Sequence, residues 1–204
     1  MNIVLLGIQG CGKGTLVLDM KEHLDFTLVS MGELLREEVA SGSDLGKTIK
    51  SCLDQGLLVD MNIIMNTLHK KLQSNTKKIT VFDGFPRNTA QADELDKVCT
   101  VDKVIYLNLS KQDAIARVLN RLTCKRCGNI TSRKLVSSMV CPECNGELFV
   151  RSDDNLDALN KRFEQYEKET LPLVDRYKRL GVLYEIDANQ TPEEVFNDVM
   201  KVIS

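Results

Sequence analysis

The stretch Asn2-Ile3-Val4-Leu5-Leu6, running directly into Gly7-Ile8-Gln9-Gly10-Cys11-Gly12-Lys13-Gly14-Thr15, decides the fold. The first segment is an apolar run too short for a buried helix, and reads as a strand buried on both faces. The second is glycine-rich, and Leu16, Val17, Met20 and Leu24 follow it at helical spacing. Strand, glycine loop and helix in that order turn several backbone N–H groups inward onto an anion, and the helix N-terminus adds partial positive charge. Lys13 is placed to reach outer phosphate groups. The strict phosphate-loop pattern has Ser or Thr immediately after the lysine. Here Gly14 intervenes and the hydroxyl arrives at Thr15.

Further short apolar runs at Thr27–Val29, Ile79–Phe82, Lys103–Asn108 and Val182–Ile186 alternate with amphipathic stretches. That alternation predicts a three-layer α/β/α fold of the P-loop NTPase type, with a five-stranded parallel sheet. Capping-box patterns at Ser30–Glu33, Asn88–Gln91 and Thr191–Glu194 mark helix starts. Pro192 stands at the first helical position of the last one, where its missing N–H is harmless. A stripe through Leu159, Phe163, Tyr166, Leu173 and Tyr177 predicts a helix that Pro172 should kink. Met31–Val59 reads as two short helices joined around Ser41–Asp44, and Thr123–Arg151 has weak periodicity. Both look like insertions, so the core is expected over 1–29, 60–122 and 152–204, with insertions at 30–59 and 123–151.

A carboxylate at the end of a buried strand beside the loop is where Mg²⁺ would be held, usually through water. Asp83 takes that position after Ile79–Phe82. Arg117 and Arg121 stand four apart and are expected to share a helix face. Cys124-Lys125-Arg126-Cys127 and Cys141-Pro142-Glu143-Cys144 are separated by thirteen residues. Two CxxC turns can complete a tetrahedron, which predicts a structural Zn²⁺ site with no open position, holding together a flap without a core of its own. Iron, or an oxidised or empty site, is the other reading. Cys11, Cys52 and Cys99 stand alone and read as small packing residues, and His23 and His69 as exposed helix residues.

Composition excludes several classes. The 204 residues carry 27 basic and 29 acidic side chains, a net charge of −2, against a nucleic-acid coat or membrane-surface binder. No apolar run approaches the roughly 20 residues needed to span a bilayer. A cytoplasmic monomer is the expectation.

Together these residues resemble the adenylate kinase family along the whole chain. Gly7–Thr15 looks like its GxxGxGKGT loop, Asp83-Gly84-Phe85-Pro86-Arg87 like its DGFPR motif, and Ser30–Arg36 like its STGDLLR segment. The resemblance implies Mg²⁺-dependent phosphoryl transfer from ATP to AMP, with ADP as product. It implies ATP binding by Gly10, Cys11, Gly12, Lys13, Gly14, Thr15, Arg117, Arg121 and Gln190, and Mg²⁺ held by Thr15 and Asp83. It implies AMP binding by Met31, Arg36, Gly56, Leu57, Leu58, Val59, Gly84, Phe85, Arg87, Gln91, Arg151 and Arg162. Lys13, Arg87, Arg117, Arg151 and Arg162 become the expected catalytic cations, with Asp153 and Asp154 tying the arginines to the hinge of a zinc-bearing LID.

Four departures from the family pattern bear on detail. Gln9 stands where Pro is frequent, Met31 where a Thr approaches the acceptor base, and Ala188 where Gly is frequent; Gly128–Val140 lacks the usual long-LID elements. A thioether cannot donate a hydrogen bond, so UMP, CMP or GMP remain alternative acceptors. A GTPase-type switch is disfavoured, since Asn160-Lys161 runs into Arg162-Phe163 rather than a guanine-reading Asp. A non-catalytic homologue is disfavoured by the presence of Lys13, Arg87 and Arg162.

Overall fold

The computed structural model describes residues 1–73 and 75–204. Its first strand, β1 (Asn2–Leu6), is the centre of a five-stranded sheet. Around it lie β2 (Phe26–Ser30), β3 (Ile79–Asp83), β4 (Lys103–Asn108) and β8 (Leu183–Asp187), all parallel, in the order β2-β3-β1-β4-β8. The five expected strands are present, each within a residue or so of its expected bounds.

Alternation along β1 builds the layers. Ile3 and Leu5 face one core with helices α1 (Lys13–His23), α6 (Lys111–Leu119), α7 (Leu156–Gln165) and α9 (Pro192–Ile203). Val4 and Leu6 face the other, with α2 (Met31–Ala40), α3 (Asp44–Asp54), α4 (Met61–Gln73), α5 (Thr89–Val98) and α8 (Leu171–Arg179). Side chains that alternate between faces are the rule for a strand, and here both faces are covered. Ile3 through Leu6 are at most 3% exposed. Burying each contributes about 1.5–3 kcal/mol, so this one strand accounts for a share comparable to a whole domain's net stability.

The helix expected over the Leu159–Tyr177 stripe is divided. α7 runs into a π-helical turn at Tyr166–Thr170, and α8 restarts at Leu171 with Pro172 in its first turn. Pro172 has no N–H to donate and crowds the carbonyl four residues back, so the chain widens to i+5 pairing just before it. The consequence is positional: Leu159 and Phe163 pack in the first core, whereas Leu173 and Tyr177 pack in the second.

Caps differ from expectation in two places. Thr191 and Glu194 form a full capping box. Asn88 Oδ1 accepts from Gln91 N at 2.9 Å, but Gln91 Oε1 accepts from Arg87 N instead of closing the box. Ser30 makes no cap; its hydroxyl donates to Asp83 Oδ2 at 3.4 Å, turned from its own helix toward the neighbouring strand end.

A second sheet holds β5 (Arg121–Cys124) between β6 (Ile130–Ser132) and β7 (Leu148–Phe149), both antiparallel to it. Arg121 therefore does not share a helix face with Arg117: α6 ends at Leu119, and Arg121 opens β5. Nor is the flap without a core, since Leu122, Cys124, Cys141 and Leu148 form a small cluster of their own.

Tyr177 is 1% exposed, and its hydroxyl has no hydrogen-bond partner among the described residues. Tyr177→Phe keeps the ring and removes the desolvated group. It is expected to raise stability by about 0.5–1 kcal/mol in urea unfolding; a loss would mean the hydroxyl is satisfied in solution.

Candidate active site

The carboxyl ends of the strands meet at one edge. Register pairs Leu5 with Asp83, Ser30 with Asp83, Leu6 with Tyr106 and Asn108 with Asp187. The chain leaves β1 where the strand order reverses, between β3 and β4. In an open parallel sheet that crevice is where ligands bind.

The loop Gly7–Thr15 wraps this crevice. Gly7, Gly10 and Gly12 take φ of 144°, 91° and 103°, values that L side chains rarely adopt. At Gly7 a Cβ would also stand 2.6 Å from Leu107 O, and at Gly10 one would stand 2.8 Å from Ala114 O. The loop can thus be tight only with glycine there. Lys13 Nζ donates to the carbonyls of Gly7 (2.7 Å) and Ile8 (3.2 Å) and lies 3.3 Å from Cys11 Sγ, holding it at the mouth of the cradle.

A cleft of about 640 Å³ opens from this loop. Lys13, Thr15, Asp83, Gly84, Arg36, Arg87, Arg117, Arg121, Arg151, Arg162 and Gln190 all line it, with Leu57 and Leu58, which follow α3. Met31, Val59 and Gln91 line a small adjoining pocket with Leu35 and Ile64. Gly56 and Phe85 line neither. Gly56 packs against the α7 backbone, where a Cβ would stand 2.6 Å from Ala158 O, and Phe85 is buried in the second core.

The arginines are crowded, and several are individually anchored. Arg87 Nε donates to Gly84 O at 2.8 Å, and Thr170 Oγ1 donates to the Arg87 carbonyl at 2.7 Å. Burial, then the Arg162 and Arg36 guanidiniums, hold the Arg87 pKa below its usual range. Arg151 Nε donates to Thr123 Oγ1 at 3.1 Å; burial, with Arg121 and Arg36 beside it, pulls its pKa down to about 10. Cations forced together and partly desolvated form a site that favours anions.

Two carboxylates restrain this crowd. Asp154 accepts from Arg121 Nε at 2.9 Å and from its Nη2, while Asp153 Oδ2 accepts from Arg162 Nη2 at 2.8 Å. Arg162 Nη2 also donates to Leu53 O at 3.1 Å, which joins α7 to the end of α3. Gln9 and Ser30 lie inside motifs and Thr123 and Thr170 in none, but no sequence pattern reports the partners that any of the four finds in this site. Each sits far along the chain from the group it bonds, so no local signal reports it.

The four cysteines lie with their sulfurs within 4.8 Å of one another. Cys124–Cys144, Cys127–Cys141 and Cys127–Cys144 separations are 3.5, 3.8 and 3.3 Å. A tetrahedral thiolate site with metal–sulfur bonds of about 2.3 Å has edges of about 3.8 Å, so the arrangement fits a metal ion. Gly146 is required beside it, because a Cβ would meet Cys124 Sγ at 3.0 Å and Arg126 Cβ at 2.7 Å. β6 carries Ile130 to the loop, 2.6 Å from where a Gly14 Cβ would stand.

A parallel sheet in this order, with a glycine cradle, its lysine and an arginine-lined cleft, defines a P-loop nucleotide-binding protein. Comparison with known proteins narrows that class. The adenylate kinase family model matches residues 5–182. Adenylate kinase of Caldanaerobacter subterraneus subsp. tengcongensis is 37% identical, covering 100% of this chain and 96% of the relative. Those of Thermodesulfovibrio yellowstonii (36%, covering 100% and 99%) and Archaeoglobus fulgidus (32%, covering 100% and 98%) are similar over the same extent. The chain belongs to the adenylate kinase family. Among the described residues, no helix is long and apolar enough to cross a membrane.

Burial pushes the Asp153 carboxyl upward, but Arg162, with Arg36 and Arg151 behind it, outweighs burial and leaves the pKa below its ordinary value. A depressed carboxylate contributes stability above the unfolded pKa near 4, and that contribution is lost as pH falls through the folded value. Asp153→Asn is therefore expected to cost about 2 kcal/mol at neutral pH. Urea unfolding should show the deficit shrinking as pH drops below about 4; a deficit independent of pH would contradict the pairing.

Proposed function

We propose that this chain catalyses reversible transfer of the terminal phosphoryl group of ATP to AMP, forming two ADP. The observation that best supports this is the cleft into which the glycine cradle, Lys13 and arginines from both arms converge. A phosphoryl group in flight spreads negative charge over its oxygens, so the enzyme needs placed cations more than a general base.

On this reading the backbone of Gly10–Thr15 and Lys13 bind the phosphates of ATP, Arg117, Arg121 and Gln190 complete the donor side, and Arg117 stacks on the adenine. Arg36 and Arg87 grip the acceptor phosphate, while Arg151 and Arg162 span the two nucleotides. The Thr15 hydroxyl and the Asp83 carboxylate are hard oxygen donors on one cleft, suited to Mg²⁺, which would offset phosphate charge when bound with the nucleotide. Residues 30–59 and 123–151 would act as arms closing on a core of 1–29, 60–122 and 152–204. Closure excludes water, which would otherwise compete as acceptor. Activity as a cytoplasmic monomer fits this reading.

A second acceptor is favoured by one observation. The small pocket is walled by Met31, Leu35, Val59 and Ile64, and the Gln91 carbonyl oxygen is engaged by Arg87 N. Few polar groups are left to choose a base. Purified protein should be given ATP, Mg²⁺ and each monophosphate in turn, following diphosphate formation. Turnover is expected to be fastest with AMP. Better turnover with UMP, CMP or GMP would move the substrate and keep the mechanism; no transfer to any acceptor would overturn the enzyme.

We also propose Zn²⁺ at Cys124, Cys127, Cys141 and Cys144, closed and structural. Cys141 is fully buried at the base of the small core, so Cys141→Ser removes one ligand and leaves the apolar cluster short. The variant is expected to lose about one zinc per chain by elemental analysis, and to melt several degrees lower. Full zinc retention would argue against four-thiolate ligation.

A further inference from the structure

Gln9 lies between two ion pairs. Its Oε1 accepts from Arg162 Nη1 at 3.1 Å, and its Nε2 donates to Asp154 Oδ1 at 3.4 Å. Arg162 is held on its other side by Asp153 and by Leu53 O, and Asp154 by Arg121. Gln9 thus touches the cationic half of one pair and the anionic half of the other. An amide offers an acceptor and a donor from one uncharged group. Its orientation is dictated here, because the flipped form would set N–H against guanidinium and carbonyl against carboxylate. A carboxylate at this position would suit Arg162 and repel Asp154, a cation would do the reverse, and an apolar side chain would serve neither.

The contacts are also strategic along the chain. Arg121 opens β5 and Asp153 and Asp154 follow β7, so they are the two roots of the cysteine-bearing arm. Gln9 belongs to the phosphate cradle, Arg162 to α7, and Leu53 to α3. One neutral side chain therefore joins the cradle to the arm's roots and, through Arg162, to the helical arm. From this geometry we infer that Gln9 is a positioning residue, a polar clasp that fixes Arg162 and the arm's roots relative to the phosphate cradle. The inference rests on the phosphoryl transfer proposed above.

Loss of the clasp leaves Asp154 with Arg121 and Arg162 with Asp153, so nucleotide binding persists while the Arg162 fork loses one restraint. Gln9→Leu is expected to lower kcat about tenfold, with both KM values within about threefold. Gln9→Glu keeps the bond from Arg162 but sets a carboxylate against Asp154, and should lower kcat by a comparable factor. Adding Asp154→Asn to it reverses the polarity of the lost bond: an amide nitrogen in the place of Asp154 Oδ1 donates to the introduced carboxylate, while the amide oxygen in the place of Oδ2 keeps the bond from Arg121 Nε and the one from Nη2 is given up. The double variant should then exceed the product of the single effects at least about fivefold, a coupling that a packing role does not produce. Gln9→Leu kcat within about twofold of the parent, a KM rise accounting for its defect, or additive behaviour in the cycle would each overturn the inference. Should Gln9→Leu fail to fold, the cycle of Gln9→Glu with Asp154→Asn decides alone. A parent that transfers no phosphoryl group would instead remove the activity, and the inference with it.

Discussion

Guanidinium crowding at the carboxyl edge of the sheet is the constraint on which the rest of the molecule depends. Arg36, Arg87, Arg121, Arg151 and Arg162 come from both arms and both sides of the sheet, yet share one cleft. Like charges so placed repel, and burial strips water that would screen them. The fold answers with Asp153 and Asp154, each buried and each gripping one arginine, and with backbone carbonyls at Gly84 and Leu53. Two carboxylates against five guanidiniums offset only part of the charge, and what remains is a net positive cavity held in shape. Such a cavity suits the phosphoryl transfer proposed for the chain, because its cations are already placed.

The two-sided sheet makes that arrangement tolerable. Its central strand is almost wholly buried and carries the cradle directly at its end. The arms are lighter constructions. The helical arm leans on the second core through Met31, Leu35 and Ile49, and the cysteine-bearing arm has only a small cluster around its sulfurs. The small core of the cysteine-bearing arm gives it low local stability, which suits the closing arm proposed above. The π-helical turn before Pro172 joins the two core layers, sending one helix to each and presenting Thr170 to the Arg87 carbonyl.

Much of this is legible in the chain because the signals are local. Strand runs bounded by turn residues, glycines where positive φ is needed, two CxxC turns and the Thr191–Glu194 box each report geometry within a few residues. Reading fails where a side chain chooses a distant partner. Ser30 matches a capping pattern but bonds Asp83, fifty-three positions on. Arg121 sits at helical spacing from Arg117, yet Asn120 ends the helix and a strand begins. Gln9 reads as a lapse from a proline in a phosphate loop; in the fold it meets Arg162 and Asp154.

By itself the sequence determined the layers, the strand–glycine loop–helix unit, the two cysteine pairs and the family, because periodicity, glycine placement and short motifs act over one or two turns of chain. Tertiary structure alone decided which carboxylate restrains which arginine, which layer each half of the proline-broken helix joins, and what occupies the space beside Gln9. Those outcomes depend on groups brought within hydrogen-bond reach by a sheet whose neighbouring strands lie far apart in the chain. Hydrogen bonds and charge pairing respond to distance in space, which no stretch of sequence reports.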